Sequence, residues 1–466
     1  MAEGSRVRDP VHNFIDLSEK EVRLVATPLL QRLRRIRQLA MASLVYPGAL
    51  HTRFDHTLGV CHVAGLMATA LSLEPEERRV VRLAALLHDL GHGPFSHVSE
   101  NVLERYADRS VIPAEQKKEK IHELVTAYLI QNDQSIVERL GKEDCSLVVQ
   151  LLSKGLGQPV LKQIVSGPLD ADKQDYLLRD SQFCGVQYGI FDIHQLHRSL
   201  MLVGDNEEKE LAIDPDGVHA LEQYALAKYY MTLNVYRHRV RLITDQMIVR
   251  AICLGIDVDQ IDELKRIYTY TGQPEFFENY VKWDDARLMI RFSEGAHANS
   301  ACGKLFQRLE ARRLHKLVFS EKAKDIGSSQ IADKLLAAGK PENAPLRKQL
   351  EANLAPIVAN YFKCECDPNL VILHGFDVKS VRTTSRNDEA GIIVARANQK
   401  RPFEEESTLF ASINEQYADG FIEVYAPVTW ESRSQRQKAR RELHDPIRKA
   451  LIDGVPLPSE PTQGGA

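Results

Sequence analysis

Three histidines and an aspartate fall within twelve residues that are otherwise apolar or turn-forming. Residues 86–97 read Leu-Leu-His-Asp-Leu-Gly-His-Gly-Pro-Phe-Ser-His. An apolar stripe at helical spacing precedes them: Val80, Leu83, Ala84 and Leu87. This stripe predicts a half-buried helix that ends at Gly91, with His88 and Asp89 in its last turn. An unpaired carboxylate is unfavourable there, and a bound metal cation would remove the penalty.

A His-Asp pair at a helix end is by itself more often a capping or surface pair than a metal site. The density of histidines favours the metal, and so do two distant segments. In the first, His56 shares a helical stripe with Val60, Val63 and Met67 and should face inward, with Arg53 on the same side. A cation beside a buried histidine suits a site that binds an anion.

The second segment follows Ser166-Gly167-Pro168, which are typical of a turn that ends a helix. Residues 169–180 read Leu-Asp-Ala-Asp-Lys-Gln-Asp-Tyr-Leu-Leu-Arg-Asp and predict a helix with Asp172 and Tyr176 on one face. Acidic residues at a helix start can simply complement the helix dipole. The functional interpretation requires Asp172 to point at His56 and His88.

Several elements would position these residues. Residues 11–17 suggest a short strand or ribbon, 204–217 a hairpin, and 218–252 one long amphipathic helix. A helix opened by Thr27-Pro28 has a predicted apolar face: Leu29, Leu33, Ile36 and Ala40. Between them lies a predicted basic face: Arg32, Arg34, Arg35 and Arg37. Arginines on such a face most often only contact solvent. The more specific alternative is that they bind an anion or a nucleotide.

Composition narrows the class of protein. The 466 residues have 44% hydrophobic and 27% charged content, which is typical of a globular protein. The formal net charge of −4 does not favour binding of nucleic acid in general. No apolar run approaches ~18–20 residues, and the first residues lack a signal-peptide core, so we expect no membrane span. The seven cysteines are scattered and odd in number, so a reducing cytoplasm fits best.

Three motifs in this order carry a family resemblance. They are His51-x-Arg53-Phe54-x-His56-x-Leu58-Gly59-Val60, the stretch from His88 to His97, and Asp170-x-Asp172-Lys173-x-Asp175-Tyr176 followed by Arg179-Asp180. Together they resemble the HD-domain deoxynucleoside triphosphate triphosphohydrolases (dNTPases), which include bacterial dNTPases and the catalytic core of a mammalian sterile-alpha-motif and HD-domain enzyme. The resemblance runs from residue 8 to about residue 250.

The resemblance implies one divalent metal ion held by four residues: His56, His88, Asp89 and Asp172. Two imidazoles and two carboxylates suit Mn²⁺, Fe²⁺, Zn²⁺ or, less well, Mg²⁺. It also implies that His97 works at the α-phosphate, helped by His92 and His122. The implied substrate-binding residues are Arg53, Lys173, Tyr176 and Lys228 for the triphosphate, Gln38 and Asp180 for the 3′-hydroxyl, and Tyr236 against the 2′ position.

The sequence departs from the family pattern at informative positions. Glu100 stands where an Asp would support His97, and Lys228 replaces an Arg, so that a bidentate phosphate contact becomes a point charge. Arg34 matches an arginine of the mammalian activator site, but Ala26 replaces the Asp that reads guanine there, and Arg8 replaces an Asn. We therefore expect a regulator other than GTP alone, or none, with Arg34 as the candidate regulatory residue.

We predict a mainly α fold, with an HD-domain helical phosphohydrolase core and a smaller mixed α/β lobe. Residues 1–320 would form the core, 321–455 a lobe for oligomerisation or regulation, and 456–466 a flexible tail. In the lobe we expect helices at 321–360 and 430–449, and strands at 370–378, 391–396 and 421–428 around a helix at 404–417.

The leading function is metal-dependent hydrolysis of dNTPs to deoxynucleoside and triphosphate. One alternative keeps the metal site but uses it on a phosphodiester, in single-stranded nucleic acid or a nucleotide signal. Another is a nucleotide-sensing subunit of a larger assembly. We expect a cytoplasmic homo-oligomer, a dimer or tetramer, with a dNTP substrate and a nucleotide activator; nucleic acid is not favoured as a partner.

Overall fold

The structure is a computed structural model that describes residues 5–153, 157–205, 208–379, 391–396, 399–413 and 418–456. The chain is mainly α-helical, as predicted, with small sheets. By packing it divides into two compact units. The first comprises the described parts of Met1–Leu242, Ile261–Glu294 and Val381–Gln416, and the second those of Ile243–Gln260, Gly295–Ser380 and Tyr417–Ala466.

The first unit contains a helical array and two small sheets. Its helices are α1 (Glu19–Val25), α2 (Pro28–Arg32), α3 (Arg53–Ala70), α4 (Pro75–Leu87), α5 (His97–Tyr106), α6 (Ile121–Asn132), α7 (Gln134–Leu140), α8 (Lys142–Ser153), α9 (Pro159–Val165), α10 (Ala171–Cys184), α11 (Ile193–Arg198), α12 (Val218–Met231), α14 (Asp262–Tyr268), α15 (Pro274–Tyr280), α16 (Asp285–Ser293), α21 (Phe403–Glu406) and α22 (Thr408–Ile413). Its strands are β1 (Ser5–Asp9), β2 (Asn13–Leu17), β3 (Leu200–Val203), β4 (Glu210–Ile213), β7 (Ile393–Arg396) and β8 (Gln399–Pro402).

Three helices of this unit carry the motifs. α3 packs against α4 and α10, and Asp170 caps the start of α10 by accepting the backbone N–H of Lys173 at 2.8 Å. Gly59 lies where α3 meets α10, and a Cβ at this position would overlap the carboxylate of Asp175. Glycine therefore permits the close approach of the two helices.

The second unit packs helices on a three-stranded antiparallel sheet of order β5-β9-β6. Its elements are most of α13 (Arg239–Asp257), α17 (Ala301–Glu310), β5 (Lys316–Lys322), α18 (Ala323–Ile326), α19 (Ser329–Leu336), α20 (Ala344–Phe362), β6 (Ile372–Lys379), β9 (Ala418–Ala426) and α23 (Arg433–Asp453). Val318, Leu354 and Ile422 belong to its apolar core. The predicted basic helix near the end of the chain is present as α23.

Three sequence predictions about helices are corrected. The helix opened by Thr27 ends at Arg32 rather than Ala40, because a 3₁₀ turn and then extended backbone at Ile36 follow it. The helix before the histidine-rich stretch ends at Leu87, with His88 as its C-cap rather than in its last turn. The predicted long helix at 218–252 is two helices, α12 and α13, separated by a π-turn at Thr232–Tyr236.

The short strand or ribbon predicted at residues 11–17 is present as β2, which pairs with β1. The hairpin predicted at 204–217 is present as β3-β4 and begins earlier, at Leu200. The second of the three strands predicted for the C-terminal lobe, at 391–396, lies elsewhere, because β7 pairs with β4 in the first unit. The region predicted helical from residue 321 begins within β5. Residues 414–417 of the predicted helix at 404–417, and all but the first residue of the predicted tail, lie outside the described residues. The division at residue 320 stays a prediction.

Among the described residues, no helix combines the length and the hydropathy that a membrane crossing requires.

Candidate active site

His56, His88 and Asp172 come together from α3, the end of α4 and α10. Each offers a ligand atom within 4.8 Å of the other two. His56 Nε2 is 2.9 Å from Asp172 Oδ1, and His88 Nε2 is 3.8 Å from the same oxygen. Asp89 borders the group, with Oδ1 3.2 Å from His88 Nε2 and Oδ2 3.8 Å from His56 Nε2. The side chains proposed as metal ligands are thus adjacent.

The donor set fits a divalent cation. His88 Nδ1 lies 2.7 Å from the carbonyl oxygen of Ala85, which leaves Nε2 as the lone-pair nitrogen. That Nε2 atom is buried and has no hydrogen-bond partner among the described residues. A metal ion would satisfy this buried nitrogen, which faces two carboxylates.

The charges of the cluster also favour a cation. Burial alone would lower the pKa of His56, but its contacts with Asp172 and Asp175 raise the pKa to about 10. An imidazolium ion would therefore supply, in part, the positive charge that the surrounding carboxylates favour. Burial would raise the pKa of Asp89, but Arg53 holds it well below its usual value.

Asp175 orients His56 from the opposite side. Its Oδ2 is 2.8 Å from His56 Nδ1, so that the Nε2 lone pair faces Asp172. The same carboxylate lies 2.7 Å from His12 Nε2 and accepts two hydrogen bonds from Arg179. Asp9 pairs with Arg179 in turn. This buried network fixes the tautomer of a proposed ligand.

The three histidines proposed as catalytic, His92, His97 and His122, lie close to one another beside Asp89. His92 Nε2 is 3.2 Å from Asp89 Oδ1, and its ring stacks on His122 at 4.2 Å between centroids. His97 meets the ring of His92 edge-on, with 5.3 Å between the ring centroids. Desolvation and the charge of Arg53 lower the pKa of His97 below its usual value, so the ring is neutral near pH 7.

Arg53 joins the two groups of histidines. Its Nη1 donates to Asp89 Oδ2 at 2.7 Å, and its Nη2 lies 3.2 Å from His97 Nε2. Glu100 contacts His122 rather than His97, which corrects the expectation from the family pattern. Its Oε2 is 2.8 Å from His122 Nδ1, because the longer side chain reaches the start of α6 and also accepts the backbone N–H of Ile121.

A further group lies along α10, beyond Asp172. Asp180 is buried; its Oδ2 accepts the hydroxyl of Tyr236 at 2.8 Å, and its Oδ1 is 2.7 Å from His51 Nε2. Tyr176 meets the ring of Tyr236 edge-on at 5.9 Å. Gln38 donates its backbone N–H to the carbonyl of His51, and its side-chain oxygen is buried without a partner in the described part of the chain. The residues proposed for the sugar are thus linked through His51 and Asp180.

Two lysines and an aspartate form a smaller group. Lys173 donates to Asp170 Oδ2 at 2.6 Å and to the carbonyl of Gly167. Burial and the nearby charge of Lys173 lower the pKa of Lys228 to about 8. Repulsion between two partly buried cations would be relieved by a bound anion.

Arg34 lies apart from these groups. Its guanidinium stacks over the ring of Phe54 at 3.6 Å and donates to Gln31. The predicted basic face is not continuous: Arg32 is buried and donates to the carbonyls of His92 and Trp283, and Arg35 pairs with Asp284. Because α2 ends at Arg32, the helix does not carry Gln38.

Sequence reasoning assigned no role to three contributors, His12, His51 and Asp175, although the last two lie within the motifs. Asp175 had a signal, since it lies one helical turn after Asp172, but the motif gave no reason to aim it at His56. His12 and His51 reach the site only through tertiary contacts, on Asp175 and Asp180, that no local spacing encodes.

Comparison with known proteins places this geometry in a family. The HD domain model matches residues 53–175, and the model of the HD associated region matches residues 191–449. This chain belongs to the HD-domain phosphohydrolases. It is 30% identical over 332 residues to an uncharacterised protein, YwfO, of Bacillus subtilis, covering 66% of this chain and 71% of that protein.

Relatives with a stated activity are also similar. The zebrafish (Danio rerio) and human deoxynucleoside triphosphate triphosphohydrolases SAMHD1 are each 30% identical, over 72% and 67% of this chain. The matches cover only 59% and 54% of their lengths. Among solved structures, a hypothetical protein from Aquifex aeolicus has a TM-score of 0.68 at 27% identity, covering 95% of this chain and all of that one. A phosphohydrolase from Bacteroides thetaiotaomicron shares the fold, with a TM-score of 0.68 at 24% identity over 91% of this chain and all of that one.

Proposed function

We propose that this HD-domain phosphohydrolase hydrolyses dNTPs to deoxynucleoside and triphosphate. The observation that carries the proposal is the arrangement along α10. Asp172 joins the candidate metal ligands, and two turns later Asp180 joins Tyr236 and His51. One helix thus presents a metal-binding carboxylate and a group suited to a sugar, as a nucleotide with a phosphate at its 5′ end requires.

His56, His88, Asp89 and Asp172 would hold one divalent metal ion, which would supply Lewis-acid polarisation of the α-phosphate. The histidines handle protons. His97 is assigned to the proton of either the attacking water or the leaving 5′-oxygen, and in its neutral form it can accept the proton of the water. Arg53 Nη2 faces the same ring, His92 contacts it edge-on, and His122 stacks on His92.

Recognition of the triphosphate is assigned to Arg53, Lys173, Tyr176 and Lys228. The deoxyribose is assigned to Gln38 and Asp180 at the 3′-hydroxyl and to Tyr236 at the 2′ position. The side-chain oxygen of Gln38, buried without a partner among the described residues, supports this role, because a substrate hydroxyl would satisfy it.

We also propose an oligomeric state and a regulator for this protein. SAMHD1 relatives suggest nucleotide partners, and we propose a cytoplasmic homo-oligomer, a dimer or tetramer, activated by a dNTP. Arg34 is the candidate regulatory residue. If initial rates are hyperbolic, indifferent to added nucleotides and unchanged in Arg34→Ala, this proposal is wrong.

A substrate panel tests the function. Purified protein is incubated with each dNTP, each NTP, guanosine tetraphosphate and labelled single-stranded DNA, with Mn²⁺ or Mg²⁺. Hydrolysis of dNTPs alone, or in strong preference, supports the proposal. Cleavage of DNA or of the tetraphosphate in preference to dNTPs assigns the same site to a phosphodiester or nucleotide signal. Tight dNTP binding without turnover under every condition indicates a nucleotide-sensing subunit.

A further inference from the structure

The start of α16 reaches two separate segments of the candidate site through one side chain. Asp285 Oδ1 accepts the backbone N–H of Phe95 at 2.6 Å, and its Oδ2 accepts the backbone N–H of Arg37 at 2.9 Å. Both partners are backbone groups, so each carboxylate oxygen fixes the path of the chain rather than a side chain. Asp285 lies outside the three sequence motifs.

The first segment is the turn that delivers His97. Phe95 and Ser96 have φ angles of 61° and 55°, in the left-handed region that bulky residues rarely adopt. Such backbone persists only where its surroundings hold it. Ser96 Oγ donates to the carbonyl of Arg37 at 2.6 Å and accepts from Arg53 Nε at 3.0 Å. The turn is therefore tied to Arg37 twice, once through Ser96 and once through Asp285.

The second segment carries Gln38. It runs beside the start of α3, with the Arg53 N–H donating to the carbonyl of Ile36 at 2.9 Å and the Gln38 N–H to that of His51 at 3.1 Å. The N–H of Arg37, between these bonds, points the other way and is the one that Asp285 accepts. Asp285 thus completes the hydrogen bonding of the segment on the side that α3 does not reach.

Asp285 is not needed to begin its own helix. The neighbouring Asp284 caps α16 by accepting the N–H of Arg287 at 3.0 Å, and it also pairs with Arg35 at 2.7 Å. Burial raises the pKa of Asp285 to about 7, against the two N–H groups that favour its carboxylate. A buried carboxylate at this position is unfavourable for the stability of the folded protein.

We propose that Asp285 is a positioning residue that holds the His97 turn and the Gln38 segment in register with each other. The kinetic consequence rests on the proposed function, in which His97 acts at the α-phosphate and Gln38 at the sugar. Loss of Asp285 then displaces both groups together: misplacement of His97 lowers kcat, and misplacement of Gln38 raises KM.

The experiment compares three variants with the wild type in the full chain. Asp285→Ala removes both acceptors. Asp285→Asn keeps one oxygen and turns an NH₂ group toward the other N–H. Asp284→Asn is the matched control, because asparagine still caps a helix and only the ion pair with the exposed Arg35 is lost. Amide hydrogen exchange is measured for residues 36–38 and 93–97 without substrate, and kcat and KM for the preferred dNTP.

We expect Asp285→Ala to speed exchange in both segments by about tenfold or more, to lower kcat and to raise KM, each by about tenfold or more. Asp285→Asn should show the same changes to a smaller extent, with one segment affected more than the other. Asp284→Asn should stay within about twofold of the wild type in all of them.

Each other result has a defined meaning. The proposal is overturned if amide exchange is unchanged, or if exchange in Asp285→Ala rises in only one of the two segments. It is also overturned if exchange rises in both segments but kcat and KM stay unchanged. If Asp285→Ala does not fold, the same criteria are applied to Asp285→Asn, for which faster exchange and a change in kcat or KM support the proposal and their absence overturns it.

The positioning role and the proposed function can fail separately. If the wild type hydrolyses no dNTP but exchange rises in both segments of the variant, the link between the segments stands and the proposed function fails. If the wild type hydrolyses dNTPs but exchange is unchanged in the variants, the function stands and the positioning role fails.

Discussion

Asp89 is where the charges of the candidate site meet. One oxygen contacts His88 and His92, and the other pairs with Arg53. The residue therefore lies between the proposed metal ligands and the histidines proposed to handle protons. Removing its carboxylate would leave three ligands and an unpaired, buried guanidinium.

We expect Asp89→Ala to bind Mn²⁺ at least about 100-fold more weakly than the wild type, since loss of residues that merely support ligands already weakens binding by about 10–100-fold. Activity should fall with metal content. Metal is measured by elemental analysis after dialysis, and Asp16→Ala serves as a control because its exposed carboxylate pairs with the exposed Arg6. Full metal occupancy in folded Asp89→Ala protein would refute the assignment.

Lys228 should give the enzyme an alkaline limit. Its pKa is lowered to about 8, and a lysine is cationic below its pKa, so attraction for the triphosphate is present below about pH 8 and lost above it. We expect kcat/KM for the dNTP to fall as the pH rises through about 8. In Lys228→Arg the guanidinium stays charged, so this decline should disappear. A pH profile with the same alkaline decline in both proteins would contradict the role of Lys228.

At the scale of elements, the interruption between α12 and α13 shows where sequence patterns stop being informative. The apolar periodicity of residues 218–252 continues through the break, so it predicts one helix. The π-turn at Thr232–Tyr236 instead places the hydroxyl of Tyr236 on Asp180 of α10, a tertiary contact that has no local signature. The positions of α3, α4 and α10, by contrast, follow from caps and apolar stripes that the sequence displays.

This turn should set the sugar preference. We expect Tyr236→Ala to raise turnover of NTPs relative to dNTPs by about tenfold or more, because a side chain that crowds the 2′ position is removed. Tyr236→Phe keeps the ring and loses only the bond to Asp180, so it should retain most of the discrimination. Ratios of kcat/KM for matched NTP and dNTP pairs provide the measurement, and an unchanged ratio in Tyr236→Ala would mean that the turn does not line the sugar pocket.

For the whole molecule, sequence predicted the family, the helical class and the gathering of His56, His88 and Asp172. These predictions succeed because His56 and Asp172 lie on capped helices, α3 and α10, and His88 directly follows α4, whose inward face is fixed by apolar residues. The pairing of β7 with β4 was not predicted, because strands far apart in sequence leave no pattern of their partner. The contacts of Asp285 could not be predicted for the same reason, because those with Arg37 and Phe95 span 248 and 190 residues of chain.

The products formed in oxygen-18 water show which bond of a dNTP the enzyme breaks. The wild-type protein, loaded with Mn²⁺ and supplied with its preferred dNTP, is allowed to turn over, the metal is removed, and the products are examined by phosphorus NMR and mass spectrometry. Attack of water on the α-phosphorus predicts deoxynucleoside without label and triphosphate with one oxygen-18 on a terminal phosphate. Deoxynucleoside monophosphate with pyrophosphate, deoxynucleoside diphosphate with orthophosphate, or unlabelled triphosphate would contradict the account.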